Sequence, residues 1–312
     1  MKLGFLFAGQ GTQHPGMGAD LYEAYPSFRG IFDQAALDFD LKTLCFTDPD
    51  GLLNETQYTQ PCMVAFAAGL TAVLAEMGIV PHVAAGLSLG EYAALQVAGV
   101  FDAQTAIQTV AFRGKAMAKA AEGVPCSMMA VLGLDRDSLQ AACQEASSLG
   151  VVEISNYNCP GQIVIGGETA AVARAAELAK EAGAKRCLPL KVSGPFHTSM
   201  LKAAGDDLRD YFTTLSFGEP KIPVLFNCLG GEMGPQDTIP ALLERQVQSS
   251  VYLEDCIRKM GDMGVDAIVE IGPGKALSGF VKKTLPGLPV FAVETLADVE
   301  ALPEKLKGVT AP

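Results

Sequence analysis

The stretch Val83-Ala84-Ala85-Gly86-Leu87-Ser88-Leu89-Gly90-Glu91-Tyr92 constrains this chain more than any other. A short apolar run of small residues meets Gly-x-Ser-x-Gly and continues into the helix-forming Glu91-Tyr92-Ala93-Ala94-Leu95. The pattern predicts a strand, a turn too tight for a Cβ at either glycine, and a helix, with Ser88 at the apex. A hydroxyl held there stands clear of the sheet, and the Leu89 amide faces the same space at a helix N-terminus. An ordinary strand–helix turn reads much the same, so the chemistry depends on whether the rest of the chain supplies a base.

With 312 residues, 49% of them hydrophobic and 19% charged, the chain has core material for one large domain or two smaller ones. A net charge of −12 argues against nucleic acid or an anionic membrane as partner. Met1-Lys2 runs straight into a strand with no cleavage region, and no later stretch reaches about 18 uninterrupted apolar residues. The expectation is a cytoplasmic monomer. The eight cysteines form no CxxC, which leaves zinc and redox readings unsupported and makes buried free thiols the default; no cofactor or metal is expected.

Leu3–Phe7 reads as a buried strand, followed by the loop Gly9-Gln10-Gly11-Thr12-Gln13. The third glycine of a dinucleotide-binding GxGxxG falls on His14, and no acidic residue ends a second strand about 20 residues on. The better reading is a loop exposing backbone N–H groups, notably that of Gln10, at the strand end where open α/β sheets collect ligands. Helices are predicted at 19–25, 27–37 and 60–77, the last with Thr59 as N-cap and Pro61 in its first turn. A helix at 102–121 carries the apolar stripe Ala106, Val110 and Met117, with Arg113 on the same face. A guanidinium there needs a charged partner, either an internal carboxylate or a ligand.

Gly123-Val124-Pro125 marks a boundary. Beyond it strands at 127–132, 151–157, 162–165 and 185–192 alternate with helices at 136–147 and 168–182, the two middle strands joined by Asn158-Cys159-Pro160-Gly161. The order β-α-β-β-α-β is a ferredoxin-like unit inserted in a larger domain. The predicted division is therefore 1–123 with 194–312 as a discontinuous large domain, and 124–193 as the small one. Further helices are expected at 199–211, 240–246 and 253–263, and strands at 224–227, 267–271 and 290–293. Gly272-Pro273-Gly274-Lys275 is no P-loop, since Val269 and Ala276 stand where a glycine and a hydroxyl are needed. The tail after Asp298 is expected to be peripheral.

A serine needs a base within hydrogen-bond reach. His82 begins the strand that ends at the elbow and lies about 13 Å below it at ~3.3 Å per residue. His14, near the glycine loop, is a second candidate. His197, in the constrained Gly194-Pro195-Phe196-His197 turn, follows the serine in chain order as in α/β-hydrolases and is preferred. No carboxylate stands out as a third member, and a backbone carbonyl accepting from Nδ1–H would serve the same purpose.

Taken together, Gly9-Gln10-Gly11-Thr12-Gln13, Gly86-Leu87-Ser88-Leu89-Gly90-Glu91, Arg113, Asn156-Tyr157-Asn158-Cys159-Pro160-Gly161-Gln162, Gly194-Pro195-Phe196-His197, Arg245-Gln246 and Glu270-Ile271-Gly272-Pro273-Gly274 resemble the malonyl-CoA:acyl-carrier-protein transacylases of type II fatty-acid synthesis. The resemblance spans nearly the whole chain and implies an α/β-hydrolase-like large domain with an inserted ferredoxin-like small domain. It implies Ser88 as nucleophile, His197 as general base, Gln246 as the residue whose backbone carbonyl orients His197, and the amides of Gln10 and Leu89 as oxyanion hole. Arg113 would clamp the malonyl carboxylate, and Asn156 would line the pocket mouth. The family usually has His where this chain has Leu87, a position that tunes acyl choice. Phe196 resembles the Phe-His pair of malonyl-selective domains, where the ring crowds an α-methyl branch.

The implied reaction is ping-pong, through a malonyl-Ser88 ester, with malonyl-CoA and acyl carrier protein as partners. Because carrier proteins are acidic and so is this chain, local cations are needed; Lys185, Arg186 and Lys191, with Lys275, Lys282 and Lys283, are the candidates. A trans-acting polyketide acyltransferase or proofreading acyl hydrolase shares nearly every motif. A non-catalytic carrier-binding protein would need neither Ser88 nor His197, and a generic esterase would leave Arg113 unpaired.

Overall fold

In the computed structural model, which describes residues 1–309, β1 (Leu3–Phe7) is buried along its whole length, as a strand covered on both faces must be. Helices α1 (Ala19–Ala24) and α2 (Pro26–Asp33) follow. The sequence reading passed over α3 (Leu41–Phe46), which starts at Asp40, whose side chain accepts from the amides of Lys42 and Thr43. The next helix, α4 (Thr56–Glu76), begins a turn earlier than expected. Thr59 is therefore no N-cap, its hydroxyl donating to the carbonyls of Leu53 and Glu55, and Pro61 lies inside the helix. The proline deprives only the Gln57 carbonyl of its helical donor, one turn from the end, where the loss is smallest. By length and composition α4 would cross a membrane, but 83% of its apolar window is buried inside this protein. It is a core helix, packed between α2 and the later helix Ala103–Ala121.

β2 (Val83–Gly86) leads into α5 (Gly90–Val97), and α6 (Ala103–Ala121) starts at Asp102, which accepts from the Thr105 amide at 2.7 Å. Then come β3 (Cys126–Leu132), α7 (Arg136–Ala146), β4 (Val152–Cys159), β5 (Gln162–Glu168), α8 (Thr169–Glu181) and β6 (Arg186–Pro189). These strands form an antiparallel sheet in the order β4-β5-β3-β6, a ferredoxin-like unit with its own core of Val131, Leu139, Ile154, Ile163 and Val172. Asn158 and Cys159 belong to β4, so the hairpin turn is only Pro160-Gly161.

After α9 (Lys202–Phe212) the chain adds β7 (Val224–Leu225), α10 (Ile239–Val247), α11 (Leu253–Asp262), β8 (Ala267–Ile271), α12 (Ala276–Thr284), β9 (Val290–Val293) and α13 (Leu296–Lys307). The large sheet is parallel, in the order β7-β2-β1-β8-β9. The unforeseen α12 is nucleated by Glu270 at the end of β8, whose carboxylate accepts from the amides of Leu277 and Ser278 at 3.0 and 2.7 Å. The tail is not peripheral: α13 opens with a Thr295–Asp298 capping box and buries Val299 and Leu302 completely.

The inserted unit meets the rest of the chain along β4, opposite the segment between α10 and α11. Tyr157 N–H donates to the Val251 carbonyl and Val251 N–H to the Ser155 carbonyl, both at 2.8 Å, straddling Asn156 beside a bulge at Ser155. Arg136 adds ion pairs to Asp255 and Glu254 at 2.8 and 3.1 Å. The clefts at the C-terminal ends of β1 and β2 therefore face the inserted unit.

The elbow is set by close approach. A Cβ on Gly86 would sit 2.0 Å from the Gly90 carbonyl carbon, and one on Gly90 would sit 2.5 Å from the Phe7 carbonyl oxygen. Gly86→Ala should cost about 3 kcal/mol in a urea unfolding titration, because only backbone movement relieves the contact. Gly279→Ala in α12, where no atom lies within 4 Å, should be neutral or stabilising by up to about 1 kcal/mol. Equal midpoints for the two variants would contradict this account of the elbow.

Candidate active site

Ser88 takes a left-handed backbone conformation, φ +56°, at the apex between β2 and α5. For an L-residue this costs about 1–2 kcal/mol, and the surrounding hydrogen bonds hold it. Leu87 N–H donates to the Phe7 carbonyl at 2.9 Å, extending the β1–β2 ladder by one residue. On the other side Asn227 takes the Ser88 amide on its Oδ1 and donates its Nδ2 to the Gly86 carbonyl, both at 2.7 Å. The amides of Gly90 and Glu91 go to the carbonyls of Leu87 and Ser88. Among the described residues, neither the Leu89 amide nor the Gln10 amide meets a protein acceptor where the glycine loop faces the elbow. Loop and elbow are pressed together, for a Cβ on Gly9 would lie 2.7 Å from the Leu87 carbonyl oxygen. The Gln10 side chain is fixed by a bond from Thr56 Oγ1 at 2.7 Å.

His197 brings its Nε2 to 2.7 Å from Ser88 Oγ, while its Nδ1 lies 2.9 Å from the Gln246 carbonyl. The carbonyl can only accept, so Nδ1 carries the proton and Nε2 is left to accept from the serine. His197 is also left-handed, φ +61°, which follows from the constrained turn that carries it. Burial, together with the positive charge of Arg113, pushes its pKa down to about 3, keeping the ring neutral across the physiological range.

Arg113 is completely buried on α6. Its Nη1 donates to Gln60 Oε1 at 2.7 Å, and its Nη2 to Gln246 Oε1 at 2.9 Å and to Ser88 Oγ at 3.1 Å. Its Nε has no partner, and the Tyr92 ring lies 5.5 Å from the guanidinium carbon. Every acceptor it meets is neutral, and no ion pair among the described residues includes it. The nearest buried acid, Glu91, has its pKa pushed up to about 8 by burial, against the pull of the Asn227 amide and the Arg113 charge.

A cavity of about 550 Å³ opens over the serine. Its walls include Gln10, Leu87, Ser88, Leu89, Arg113, Asn156, Phe196 and His197, with Met128, Val164 and Lys191 from the inserted unit. Gln246 stands behind this wall, its side chain also donating to the Ser88 carbonyl at 2.8 Å. The nine residues to which the resemblance gives a role at the site therefore gather at one place. The other histidines lie elsewhere: His82 accepts from the Leu3 amide at the opposite end of the sheet, and His14 bonds Glu294 at the surface. The six candidate cations are exposed and, among the described residues, form no ion pairs.

Sequence reasoning missed Gln60, Asn227 and Asn158. Gln60 stands immediately before the apolar run Pro61-Cys62-Met63-Val64, a polar side chain at the edge of a core segment and a legible signal. Asn227 follows Val224-Leu225-Phe226 and reads locally as the last residue of that strand. The strand stops at Leu225 because Phe226 pairs with Gly231 and Asn227 turns to the elbow. Asn158 lines the cavity with a buried Oδ1 that has no partner.

The family profile described as "acyl transferase domain" matches residues 4–308. A malonyl CoA-acyl carrier protein transacylase of Bacillus subtilis is 39% identical over 309 residues, 98% of either chain. The crystal structure of malonyl CoA-acyl carrier protein transacylase from Clostridium perfringens superposes with a TM-score of 0.95 at 42% identity, covering 98% of both chains. A type II PKS acyl-carrier protein in complex with its malonyl-transacylase gives 0.93 at 38% identity, covering 98% of this chain and all of that one. With its serine, histidine and buried arginine assembled on this fold, the chain belongs to the acyl transferase family, among the malonyl-CoA–acyl-carrier-protein transacylases.

Proposed function

We propose that this protein moves a malonyl group from malonyl-CoA to the phosphopantetheine thiol of an acyl carrier protein, by way of a malonyl ester on Ser88. One observation carries the acyl choice: Arg113 holds a full positive charge, buried beside Ser88 Oγ, with only neutral acceptors around it. A carboxylate at the far end of a short acyl group supplies what the protein does not. A three-carbon diacid monothioester attacked at its thioester carbon places that carboxylate on the guanidinium.

In the first half-reaction Ser88 Oγ gives its proton to His197 Nε2 and attacks the thioester carbon. The Gln10 and Leu89 amides take the developing oxyanion, each worth about 3 kcal/mol of transition-state stabilisation. The C–S bond breaks, and the imidazolium returns its proton to the departing CoA sulfur. In the second, His197 takes the proton of the carrier thiol, the sulfur attacks the Ser88 ester, and Ser88 Oγ leaves with the proton. The Gln246 carbonyl keeps Nδ1 protonated throughout, doing the work of the missing third acid. CoA enters as part of the substrate, and no other cofactor or metal is needed for these steps.

Phe196 and Leu87 would set the width available to the α-carbon, favouring malonyl over methylmalonyl. In this reading residues 1–123 and 194–312 hold the reacting groups, and 124–193 form a lobe that walls the cavity and carries Asn156 at its mouth. Lys185, Arg186, Lys191, Lys275, Lys282 and Lys283 would offset the repulsion between two acidic proteins. Membership in type II fatty-acid synthesis, a cytoplasmic location and a monomeric state complete the reading; eight cysteines with no disulfide among them fit a reducing compartment.

Intact-protein mass spectrometry after mixing with malonyl-CoA should show a malonyl adduct on the wild type and none on Ser88→Ala; an unmodified wild type would sink the reaction. Arg113→Ala should cut the preference for malonyl- over acetyl-CoA about a hundredfold, the worth of a charged bidentate contact. Unchanged preference would remove the clamp. Because His197 stays neutral far below the ordinary 6.5, kcat/KM should remain flat from pH 7 down to about 5. A limb falling at pH 6.5 would contradict the buried base.

A further inference from the structure

Asn227 is buried completely and every polar group it has is engaged. Its side chain spans the elbow, accepting from Ser88 N–H and donating to the Gly86 carbonyl at 2.7 Å each. Its backbone N–H donates to Glu91 Oε2 at 2.6 Å, and its carbonyl accepts from Tyr252 N–H at 2.8 Å. Glu91 sits in the first turn of α5, three residues beyond the serine, so the strut grips the elbow on both sides of its apex. The backbone partner of β2 ends at Leu225, and from there the Asn227 amide stands in for a neighbouring strand. Of the backbone amides at the apex, it occupies that of Ser88 and leaves that of Leu89 open.

We propose that Asn227, braced by Glu91, is a positioning residue for acyl transfer: its side-chain amide holds Ser88 in the left-handed conformation that meets His197. This rests on the reading of Ser88 as nucleophile. A carboxamide suits the task because it presents one acceptor and one donor in a plane, matching a carbonyl and an N–H two residues apart. A carboxylate of the same shape presents two acceptors, and its second oxygen would face the Gly86 carbonyl.

Asn227→Asp therefore makes the strut dependent on protonation. The ionisable groups around it are Glu91 on α5, Arg113 on α6, and the thiols of Cys228 and of Cys256 on α11. Burial pushes the Cys228 thiol up to about 12 and Cys256 well above its ordinary value, so neither titrates near neutrality. Glu91 is held protonated up to about 8 by burial, and His197 stays neutral, so the introduced carboxyl is the group that changes between pH 5 and 7.5.

The test is single-turnover acylation by malonyl-CoA, followed by quenched intact-protein mass spectrometry from pH 5 to 7.5, with far-ultraviolet circular dichroism at each pH. Wild type should be flat. Asn227→Asp should acylate about ten- to a hundredfold more slowly at pH 7.5, with half-saturation by malonyl-CoA unchanged, and recover as the pH falls. Asn227→Ala should be slow at every pH. A wild-type rate for Asn227→Asp throughout would overturn the proposal, as would a deficit that does not move with pH. Recovery that merely follows the folded fraction, or a variant folded at no pH, would assign Asn227 to stability alone and overturn it too. If wild type itself takes no adduct, it is the acyl-transfer reading that fails, a result distinct from all of these.

Discussion

A positive charge that cannot be neutralised, buried without a carboxylate beside it, governs the catalytic end of this molecule. Taking an ion of this size out of water costs several kcal/mol even after relaxation. Arg113 recovers part of that from two glutamine oxygens, the Ser88 hydroxyl and the Tyr92 ring. Those partners come from α4, α10, the elbow and α5, so elements far apart in sequence are drawn to one point. The dipoles of neutral amides hold the guanidinium in place without cancelling its charge. What remains uncancelled is available to an anion of the right length, and after burial itself that residual field helps keep the neighbouring imidazole unprotonated.

The histidine follows from the same field. A buried carboxylate behind His197 would have paired with Arg113 and cancelled its charge. A backbone carbonyl fixes the tautomer equally well and adds no charge. Gln246 serves both sides of this compromise, its main chain oriented to His197 and its side chain joining Arg113 to the Ser88 carbonyl. Serine, histidine and arginine are thus positioned by one residue on α10, which is why the site tolerates two left-handed non-glycine residues a hydrogen bond apart.

Much of this was legible in the sequence, for reasons that differ from part to part. The elbow was readable because its glycines answer a local steric demand, and the ferredoxin-like unit because its alternation of strands and helices is periodic. Strand β8 and strand β9 matched to the residue, being short apolar runs with hard stops. Where the reading failed, something distant had decided the matter. Pro61 suggested a helix start, but packing against α6 extended α4 by a turn upstream of it. α12 is a short helix that draws its start from Glu270, a carboxylate on the preceding strand. Asn227 looked like the last residue of a strand because nothing local says that its side chain, not its backbone, completes the sheet.

The passage between the two lobes is itself part of the reaction chamber. Leu190, Lys191 and Val192 leave the last strand of the inserted unit along the cavity wall, and within a few residues the same segment delivers Phe196 and His197. An aromatic wall of the cavity and the hydrogen-bond partner of Ser88 are threaded on one short tether. A chimaera built by exchanging inserted lobes between relatives would therefore move His197 whenever its seam fell inside 190–197. Grafts joined beyond Thr198 would carry Phe196 and His197 as one inherited module.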